Sequence, residues 1–325
     1  MIHKSSARLP FSKVFQTVDK GNGAAQEQTP LMPTIDQLAQ YVLSGLTTGS
    51  IYALIALGFC IIHNATGIVN FTQVDFVTLG GMMMYTFLVG LGLPLIPAFL
   101  LGVLTVTAVG GLVERLAIRP AKSRAVIVLI FITIGVSILM RGAFKVIWGK
   151  NQMALPPFSG DAPLIILRAA VLPQSLWIFV ITVVVVFLLH LFFNHTLTGK
   201  AMRATSYNPR AAALMGVNVN RIILLSFALS GALGAVAGII IVPITTLSYD
   251  IGVMLGLKGF AAAVLGGYGN SIGAILGGLL LGVLESLGAG VISSTYKDVM
   301  AFVILLLVLF MKPDGLLGLG HKERV

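Results

Sequence analysis

The segment LWIFVITVVVVFLLHLFF, residues 176–193, decides the class of fold, because every side chain in it is apolar apart from one threonine and one histidine. It lies inside a longer run, residues 169–199, that carries no formal charge. A helix needs about 20 predominantly apolar residues to cross the hydrocarbon core of a bilayer. The sequence therefore predicts a membrane-spanning helix at about residues 173–194.

The rest of the chain repeats this pattern. Of its 325 residues, 57% are hydrophobic and 10% are charged, with a mean hydropathy of +0.99, whereas soluble domains typically carry about 25% charged residues. The runs without formal charge are 37–74, 76–113, 125–140, 169–199, 222–249, 259–284 and 299–311. The two longest can each hold more than one crossing or a broken helix. We predict an all-α polytopic membrane protein with about eight or nine membrane segments, including broken or re-entrant helices.

The net charge of +10 could indicate a nucleic-acid partner, but the basic residues are grouped as in the cytoplasmic loops of membrane proteins. The three clusters are Arg115, Arg119, Lys122 and Arg124; Lys200, Arg203, Arg210 and Arg221; and Lys312, Lys322 and Arg324. The three clusters lie on the same side of the membrane if the segment 125–148 crosses outward and the segment 173–194 crosses back. An odd number of crossings must then follow the segment 222–247. We therefore interpret the excess charge as topology, with membrane lipid around the chain, no nucleic acid, and residues 149–172 as an external loop.

The apolar runs also set the domain boundaries. Residues 1–37 form an N-terminal extension, and its first 36 residues contain no apolar run of signal-peptide length. Residues 38–318 form the transmembrane domain, which includes a basic loop at 196–221. Residues 319–325 form a cytoplasmic tail.

We also predict the conformation of the N-terminal extension and the side of the membrane on which it lies. Phe11, Phe15 and Val18 fall at i, i+4 and i+7, as in a short interfacial helix, although a disordered tail is the alternative. The N-terminus lies outside if residues 64–90 make one full crossing and inside if they are re-entrant. We expect the inside position.

Polar residues interrupt the first apolar runs. Thr66, Asn70 and Gln73 fall at i, i+4 and i+7, so they share a face on a continuous helix, and Asp75 follows on an adjacent face. Polar groups in hydrocarbon are costly and normally face a bundle interior or a wet cavity. We expect these residues to line a solute path next to a helix break. The alternative is hydrogen bonding between helices, and Asp75 alone fits a structural role near the membrane interface.

A second polar stripe consists of Thr133, Ser137 and Arg141, at i, i+4 and i+8. Thr133 and Ser137 are expected to border the same path. If the helix begins near residue 125, Arg141 lies about 24 Å along it, at about 1.5 Å per residue. A long basic side chain at that depth is expected to snorkel to the outer surface, and contact with the carboxylate of an incoming solute is the alternative.

Small residues dominate the last third of the chain. Gly-xxx-Gly pairs, which let helix backbones approach closely in lipid, occur at Gly234 and Gly238, Gly273 and Gly277, and Gly278 and Gly282. The Gly-Gly pair at 266–267 predicts a short or discontinuous helix. DFVTLGG at 75–81 and GFAAAVLGG at 259–267 form a faint repeat, of the kind that transporters use to pair interrupted helices.

Chemical motifs are missing from the sequence. Lys258 and Glu285 are isolated charges that could pair, cap a helix or line a path. Cys60 is the single cysteine, no HExxH or GxSxG occurs, and neither Gly-Lys dipeptide has the rest of a phosphate-binding loop. The sequence therefore predicts no catalytic site, no metal site and no cofactor.

The segment TLTGKAMRATSYNPRAAALMGVNVNR, residues 196–221, has four basic residues and no acidic one. Asn208 is a good N-cap, Pro209 suits the first helical position, and Gly216 is a natural stop. The helix-favouring residues between them are Ala211, Ala212, Ala213, Leu214 and Met215. A helix of about two turns is marginal alone, so we expect it to dock on a partner protein, with its consecutive alanines in a narrow groove.

Five segments together carry a family resemblance. They are GLTTGSIYALIALGFCII, GIVNFTQVDFVTLGG, TIGVSILMRG, TGKAMRATSYNPRAAALMGVNVNR and GLKGFAAAVLGGYGNSIGAILGGLLLGVLES. Over about residues 38–318 the sequence resembles the permease subunits of branched-chain amino acid ABC importers, most closely the smaller of their two permeases. Val74 departs from the family pattern, which commonly has glycine there.

The resemblance implies a subunit that is not an enzyme and lies in the bacterial inner (plasma) membrane. Its partners would be a second permease subunit, two ATP-hydrolysing subunits and an extracytoplasmic solute-binding protein. The short helix at 208–216 would dock into a groove on an ATP-hydrolysing subunit, with Arg210 in the docking element. The transported solute would be leucine, isoleucine or valine.

Two alternatives stay open. Family members also serve urea and short amides, and the sequence does not separate these solutes. A stand-alone ion-coupled secondary transporter is a different class, which would work without an ATPase and favour a coupled pair of buried charges.

Overall fold

The computed structural model describes residues 34–123, 125–160, 162–166 and 169–318. The expected interfacial helix around residues 11–18 and the tail at 319–325 lie outside the described residues. Within them the elements are α1 (Ile35–Thr66), α2 (Gln73–Tyr85), α3 (Leu95–Val113), α4 (Val126–Trp148), β1 (Leu164–Ile166), β2 (Ala169–Val171), α5 (Pro173–His195), α6 (Leu197–Tyr207), α7 (Pro209–Leu214), α8 (Val219–Ile241), α9 (Ile251–Gly266), α10 (Ser271–Val291) and α11 (Lys297–Met311). π-Helical turns extend α2 over Thr86–Gly90 and α3 over Glu114–Ile118.

The predicted class is confirmed. Seven helices of the described chain are long and apolar enough to cross a membrane: α1, α3, α4, α5, α8, α10 and α11, some with their short extensions. Helix α9 is a shorter apolar helix. Helix α2 with its π-helical turn covers residues 73–90, or about 27 Å at about 1.5 Å per residue. These helices account for the predicted eight or nine segments.

The contacts at the two ends of α1 identify the two ends of the helix bundle. At its start, Gln40 Nε2 donates to the Ala170 carbonyl at 2.9 Å, beside the hairpin formed by β1 and β2. Near its C-terminal end, Asn64 Nδ2 donates to the Gly269 carbonyl at 2.8 Å, in the link between α9 and α10. We call these the hairpin end and the elbow end, because α6 and α7 form an elbow at the second one.

The expectation that residues 64–90 are re-entrant is wrong. After α1 reaches the elbow end, α2 runs back beside α4, and Trp148 Nε1 donates to Thr86 Oγ1 at 2.9 Å near the hairpin end. Residues 64–90 therefore return the chain across the bundle, and α1 begins at the end opposite the elbow. The N-terminus itself lies outside the described residues, so its expected position on the elbow side stays a prediction.

The described members of the three basic clusters lie at the elbow end. Arg119 Nη2 donates to the Asn220 carbonyl at 3.5 Å, which joins the first cluster to the start of α8. The segment after α11 packs on the end of α9, where the amides of Leu316 and Leu317 donate to the carbonyls of Leu265 (2.8 Å) and Gly266 (3.0 Å). Three helices, α9, α10 and α11, follow α8 in the described chain, and α10 and α11 are long enough to cross a membrane. The predicted odd number of crossings depends on the shorter helix α9 and stays a prediction.

Glycines allow the closest helix contacts. Helices α1 and α10 form the most extensive helix pair, and a Cβ added at Gly49 would lie 2.8 Å from the Leu279 Cα atom. A Cβ at Gly282 would collide with the backbone of Gly49. Gly234 meets α2 in the same way, because a Cβ there would lie 2.7 Å from the Phe76 Cβ atom. The predicted small-residue packing is thus confirmed at these positions.

The two Leu-Gly-Gly segments adopt different structures. Gly80 and Gly81 lie inside α2, where a Cβ on Gly80 would come 2.6 Å from the Ala235 carbonyl oxygen of α8. Gly266 ends α9, and Gly267 follows with φ +104°. The break predicted at 266–267 is confirmed, whereas no break occurs at 80–81, where glycine serves close packing.

Val74, the departure from the family pattern, has a specific partner in the fold. It lies in the first turn of α2 and is buried against α9. A Cβ built on Gly256 would collide with the Val74 side chain and lie 2.9 Å from its Cα atom. The larger side chain at position 74 is thus accommodated by a missing one at position 256.

We expect Gly256→Ala to destabilise the protein, because the new methyl group must displace Val74. Adding Val74→Gly should restore part of that loss, so that the double variant is more stable than the sum of the single effects. Gly135→Ala in α4 is the control, since no atom lies within 4 Å of that position. Thermal unfolding of the detergent-solubilised chain measures all four variants. Strict additivity would contradict the proposed contact.

Candidate functional site

The link between α1 and α2 is an irregular segment inside the bundle. Thr66 is the last residue of α1, Gly67 follows with φ +75°, and Gln73 begins α2. Thr66, Asn70 and Gln73 therefore do not share a helical face, and that expectation is wrong because the left-handed backbone at Gly67 ends the helix. Irregular backbone at membrane depth is tolerated where it is buried in protein or lines a wet cavity.

A buried set of hydrogen bonds holds this link in place. Asn70 Oδ1 accepts from Thr72 Oγ1 at 2.6 Å and from the Thr72 amide at 3.2 Å. Gln73 Nε2 donates to the Ser230 carbonyl at 3.3 Å, and Ser230 Oγ contacts Gln73 Oε1 and donates to the Gly58 carbonyl at 3.0 Å. Asn70, Thr72 and Gln73 are fully buried. The link is thus tied to α1 and α8 by polar contacts.

Helix α4 supplies the second polar stripe, as predicted. Thr133 Oγ1 accepts from the Phe71 amide at 3.2 Å, and Ser137 Oγ accepts from Arg141 Nη2 at 3.1 Å. Arg141 Nε lies 3.4 Å from Asp75 Oδ1. Neither oxygen of the fully buried Asp75 carboxylate accepts a hydrogen bond of ordinary geometry from the described residues.

This ion pair bears on two expectations. Asp75 is fully buried in the bundle and has a structural partner in Arg141, whereas its position relative to the membrane interface stays a prediction. Arg141 does not simply snorkel, because its guanidinium group pairs with that carboxylate while about a third of the side chain, 32%, stays exposed. The structure brings Gln73, Asp75, Thr133 and Ser137 together around the start of α2, and leaves Thr66 outside this cluster, with Oγ1 donating to the Ile62 carbonyl at 2.7 Å.

A large cavity of about 1600 Å³ opens at the elbow end. Its walls are the second half of α1, α5, the elbow, and the link between α9 and α10. His63, Asn64 and Tyr268 line it from α1 and from the link between α9 and α10, and Tyr207 and Arg210 line it from the elbow. Any movement of the elbow therefore changes the walls of this cavity.

The elbow consists of two helices. The predicted short helix is confirmed as α7. Asn208 caps it, because its Oδ1 atom accepts hydrogen bonds from the amides of Arg210 and Ala211 at 3.0 Å each. Pro209 is the first residue of the helix, and Gly216 follows its C-terminal end with φ +85°. Sequence reasoning missed α6. The sequence feature that could have predicted α6 is its N-cap residue, Thr196, whose Oγ1 atom accepts a hydrogen bond from the Gly199 amide at 3.0 Å.

The exposed face of α7 differs from the expected one. Ala212 is buried against its own chain, whereas Ala211 and Ala213 are exposed. Leu214 is 89% exposed and Met215 is 85% exposed. A partner groove would therefore receive Leu214 and Met215 rather than the side chain of Ala212.

A second group of buried charges joins the last helices to α1. Lys258 Nζ donates to Glu285 Oε1 at 2.7 Å and to Asp298 Oδ1 at 2.5 Å, and Tyr52 Oη donates to Glu285 Oε2 at 2.9 Å. Lys258 and Glu285 thus pair, which was one of three options left by the sequence. The complete group could not be found there, because its members come from four helices and share no periodicity. Across the described part of the chain, no three His, Cys, Asp or Glu side chains are arranged to hold a metal ion.

Comparisons with known proteins place this architecture among transport permeases. Residues 41–309 match the family described as "Branched-chain amino acid transport system / permease component". The chain is 36% identical over 310 residues to the high-affinity branched-chain amino acid transport system permease protein BraD of Pseudomonas aeruginosa, covering 90% of this chain and 100% of BraD. It is 32% identical over 299 residues to LivH of Escherichia coli K12, a permease protein of the same description. This match covers 88% of this chain and 97% of LivH. It is also 28% identical over 288 residues to the ribose import permease protein RbsC of Haemophilus influenzae, covering 85% of each chain.

We expect Arg141→Ala to destabilise the chain, because it leaves the buried Asp75 carboxylate without its cation. The free energy of unfolding should fall by a few kcal/mol. This is less than the loss of about 3–5 kcal/mol on breaking a fully buried pair, because Arg141 is partly exposed. Asp75→Asn in the same chain should recover part of it. Thermal unfolding in detergent measures both variants and the unmodified chain, and equal stability of Arg141→Ala and the unmodified chain would restore the snorkelling interpretation.

Proposed function

The chain belongs to the permease family of branched-chain amino acid transport systems, and from this membership we propose that it forms half of the translocation path of an ATP-driven importer. It is a multi-pass protein of the inner membrane, and its relatives are permeases rather than enzymes. Membership in the ABC importer permeases implies work with another permease and with ATPases. The finer composition that we propose is two permeases, two ATP-hydrolysing subunits and an extracytoplasmic solute-binding protein.

One observation carries the proposal: the elbow borders the large cavity and also presents exposed apolar side chains at its tip. Tyr207 and Arg210 line the cavity, while Leu214 and Met215 are exposed. An exposed apolar pair beside basic clusters favours a protein partner on the cytoplasmic side. We propose that residues 208–216 dock on an ATPase, so that its motion reaches the cavity walls.

The solute path that we propose runs between the two permeases and past the link between α1 and α2. His63, Asn64 and Ala65, just before the link, line the cavity. Asn70 and Gln73, at the other end of the link, are buried in the described conformation. We propose that residues 66–75, with Thr133 and Ser137 behind them, border the path and are uncovered during transport.

The proposed solutes are leucine, isoleucine and valine. The printed names of BraD and LivH support this choice, because both are branched-chain amino acid permease proteins. RbsC, which is less similar, is named for ribose import, so similarity of the fold alone does not fix the solute. Urea or short amides remain the alternative within the family.

A second candidate function has one observation in its favour. Lys258 and Glu285 form a buried ion pair between the apolar helices α9 and α10, and a stand-alone ion-coupled transporter would use such a coupled pair. Membership in the permease family favours the ATP-driven importer. Uptake in vesicles that lack any ATPase separates the two.

We expect the double variant Leu214→Asp and Met215→Asp to abolish ATP-driven leucine uptake while leaving the chain inserted, since both side chains are exposed. Loss of each apolar contact costs about 1.5–3 kcal/mol, and about 1.4 kcal/mol is tenfold in affinity, so ATPase co-purification should fall at least roughly tenfold. Within the same docking element, Arg210→Ala should have a smaller effect and keep most activity, because exposed ion pairs contribute about 0–1 kcal/mol.

The outcome of this experiment also tests the second candidate. Full uptake by the double variant with ATPases still bound would mean that α7 does not couple. Uptake that persists without any ATPase and follows an ion gradient would establish the secondary transporter instead.

We expect cysteines at positions 70 and 73, in a Cys60→Ala background, to be protected in the resting transporter and to react with a small hydrophilic thiol reagent during turnover. Ser206→Cys is the control, because Ser206 already lines the cavity and should react in every state. The measurement is the labelling rate with and without ATP and solute-binding protein. Protection of both cysteines in every state would remove residues 66–75 from the path.

A further inference from the structure

A row of four aromatic rings, which we call the aromatic row, runs from the cavity at the elbow end to the link between α1 and α2. Its members, in spatial order, are His63, Tyr268, Phe260 and Phe71, and successive ring centroids lie 4.4, 5.6 and 6.4 Å apart. Aromatic rings in contact have centroids about 4.5–7 Å apart. Each ring of the row therefore touches the next.

The two ends of the aromatic row lie at different surfaces. His63 and Tyr268 line the cavity, whereas Phe260 and Phe71 lie outside its lining. Phe71 is half-buried, so part of its surface is exposed away from the cavity. Its amide donates to Thr133 Oγ1 at 3.2 Å, which places this end of the row beside the polar stripe of α4. The row thus lies between the cavity and the second half of the link.

The proposed solute path meets the aromatic row, because it includes both the cavity and residues 66–75. Asn64 and Ala65, just before the link, line the cavity. Asn70 and Gln73, in the second half of the link, are fully buried in the described conformation. A solute that moves between Asn70 and the cavity must therefore displace a ring of the row.

Tyr268 is the ring that the backbone leaves most freedom to move. It lies in the turn between α9 and α10, with Gly267 at φ +104° before it and Gly269 at φ +96° after it. Glycine adopts positive φ angles without steric cost, and hinges absorb large backbone changes at a few loop positions of this kind. The backbone on both sides of Tyr268 can therefore change its conformation.

The ends of this turn, in contrast, are fixed by one residue that follows α11. The Leu317 amide donates to the Gly266 carbonyl at 3.0 Å, and the Leu317 carbonyl accepts from Asn270 Nδ2 at 2.9 Å. Gly266 is the last residue of α9, and Asn270 is the N-cap of α10. Movement of the Tyr268 side chain therefore does not require α9 and α10 to separate.

The hydroxyl group of Tyr268 gives the side chain a reason to move. Its Oη atom is buried and has no hydrogen-bond partner among the described residues. A buried hydroxyl group without a partner costs free energy. The cavity, of about 1600 Å³, borders this residue, and rotation of the side chain into it would return the hydroxyl group to water. The ring contacts that hold Tyr268 in the row are thus opposed by the cost of burying its hydroxyl group.

We infer that Tyr268 is the gate residue of the cavity, which closes the aromatic row at rest and opens it by rotating into the cavity. This inference rests on the proposed function, because it places the gate on the proposed solute path. Gly267 and Gly269 supply the backbone freedom, and Leu317 keeps the ends of the turn in place. When the gate opens, the cavity becomes continuous with the second half of the link.

The test uses Asn70→Cys in a Cys60→Ala background as the reporter, in the assembled importer without ATP. A membrane-impermeant thiol reagent is added to inside-out vesicles, where it reaches the cavity at the elbow end. Tyr268→Ala should raise the labelling rate of position 70 at least tenfold in these vesicles and leave it unchanged in right-side-out vesicles. No increase, or an equal increase in both kinds of vesicle, would overturn the inference.

Two matched variants separate loss of the gate from general loosening of the bundle. Tyr268→Phe keeps the ring, so the labelling rate at rest should stay within a few-fold of the unmodified rate. Phe227→Ala removes a fully buried ring of α8 that lies outside the aromatic row and the cavity lining, and it should leave the labelling rate unchanged. Labelling in either variant as fast as in Tyr268→Ala would overturn the assignment, and co-purification of the ATPases shows that each variant is assembled.

A separate uptake measurement distinguishes failure of this inference from failure of the proposed function. ATP-driven leucine uptake by the unmodified chain, without faster labelling in Tyr268→Ala, removes the gate and leaves the importer. Faster labelling in Tyr268→Ala, without ATP-driven uptake by the unmodified chain, supports the gate and removes the proposed transport.

Discussion

Helix α1 can occupy the centre of the bundle only because glycines face α10 where the two helices cross. Lipid provides no hydrophobic drive for helices to associate, so close packing must supply it. Gly45 and Gly49 meet Gly278 and Gly282 with no room for a Cβ atom. The cavity at the elbow end depends on this contact, since the second half of α1 forms one of its walls.

The buried charges fix the two short helices of the membrane domain. Asp75 ties the start of α2 to Arg141 of the long helix α4, and Lys258 ties α9 to Glu285 of α10. Buried ion pairs are weak evidence for stability, since apolar residues of the same size often do as well. Their use here is positional: each ties a short helix to a longer neighbour.

The sequence predicted the spans, the basic clusters and α7 well, because apolar run length, loop charge and capping chemistry are local properties. It failed at the link between α1 and α2. Thr66, Asn70 and Gln73 have helical spacing, and only Gly67 marks the break. The ion pairs could not be predicted either, since Asp75 and Arg141 meet through tertiary packing. The same holds for Ala212, whose burial depends on the chain around the elbow.

The segment after α11 gives the fold an order of assembly. The carbonyls of Leu265 and Gly266 accept from the amides of Leu316 and Leu317, and Asn270 Nδ2 donates to the Leu317 carbonyl at 2.9 Å. A chain leaves the ribosome from its N-terminus, so these partners emerge after all the membrane helices of the described residues. The three hydrogen bonds to the turn between α9 and α10 can therefore form only once translation has passed residue 317.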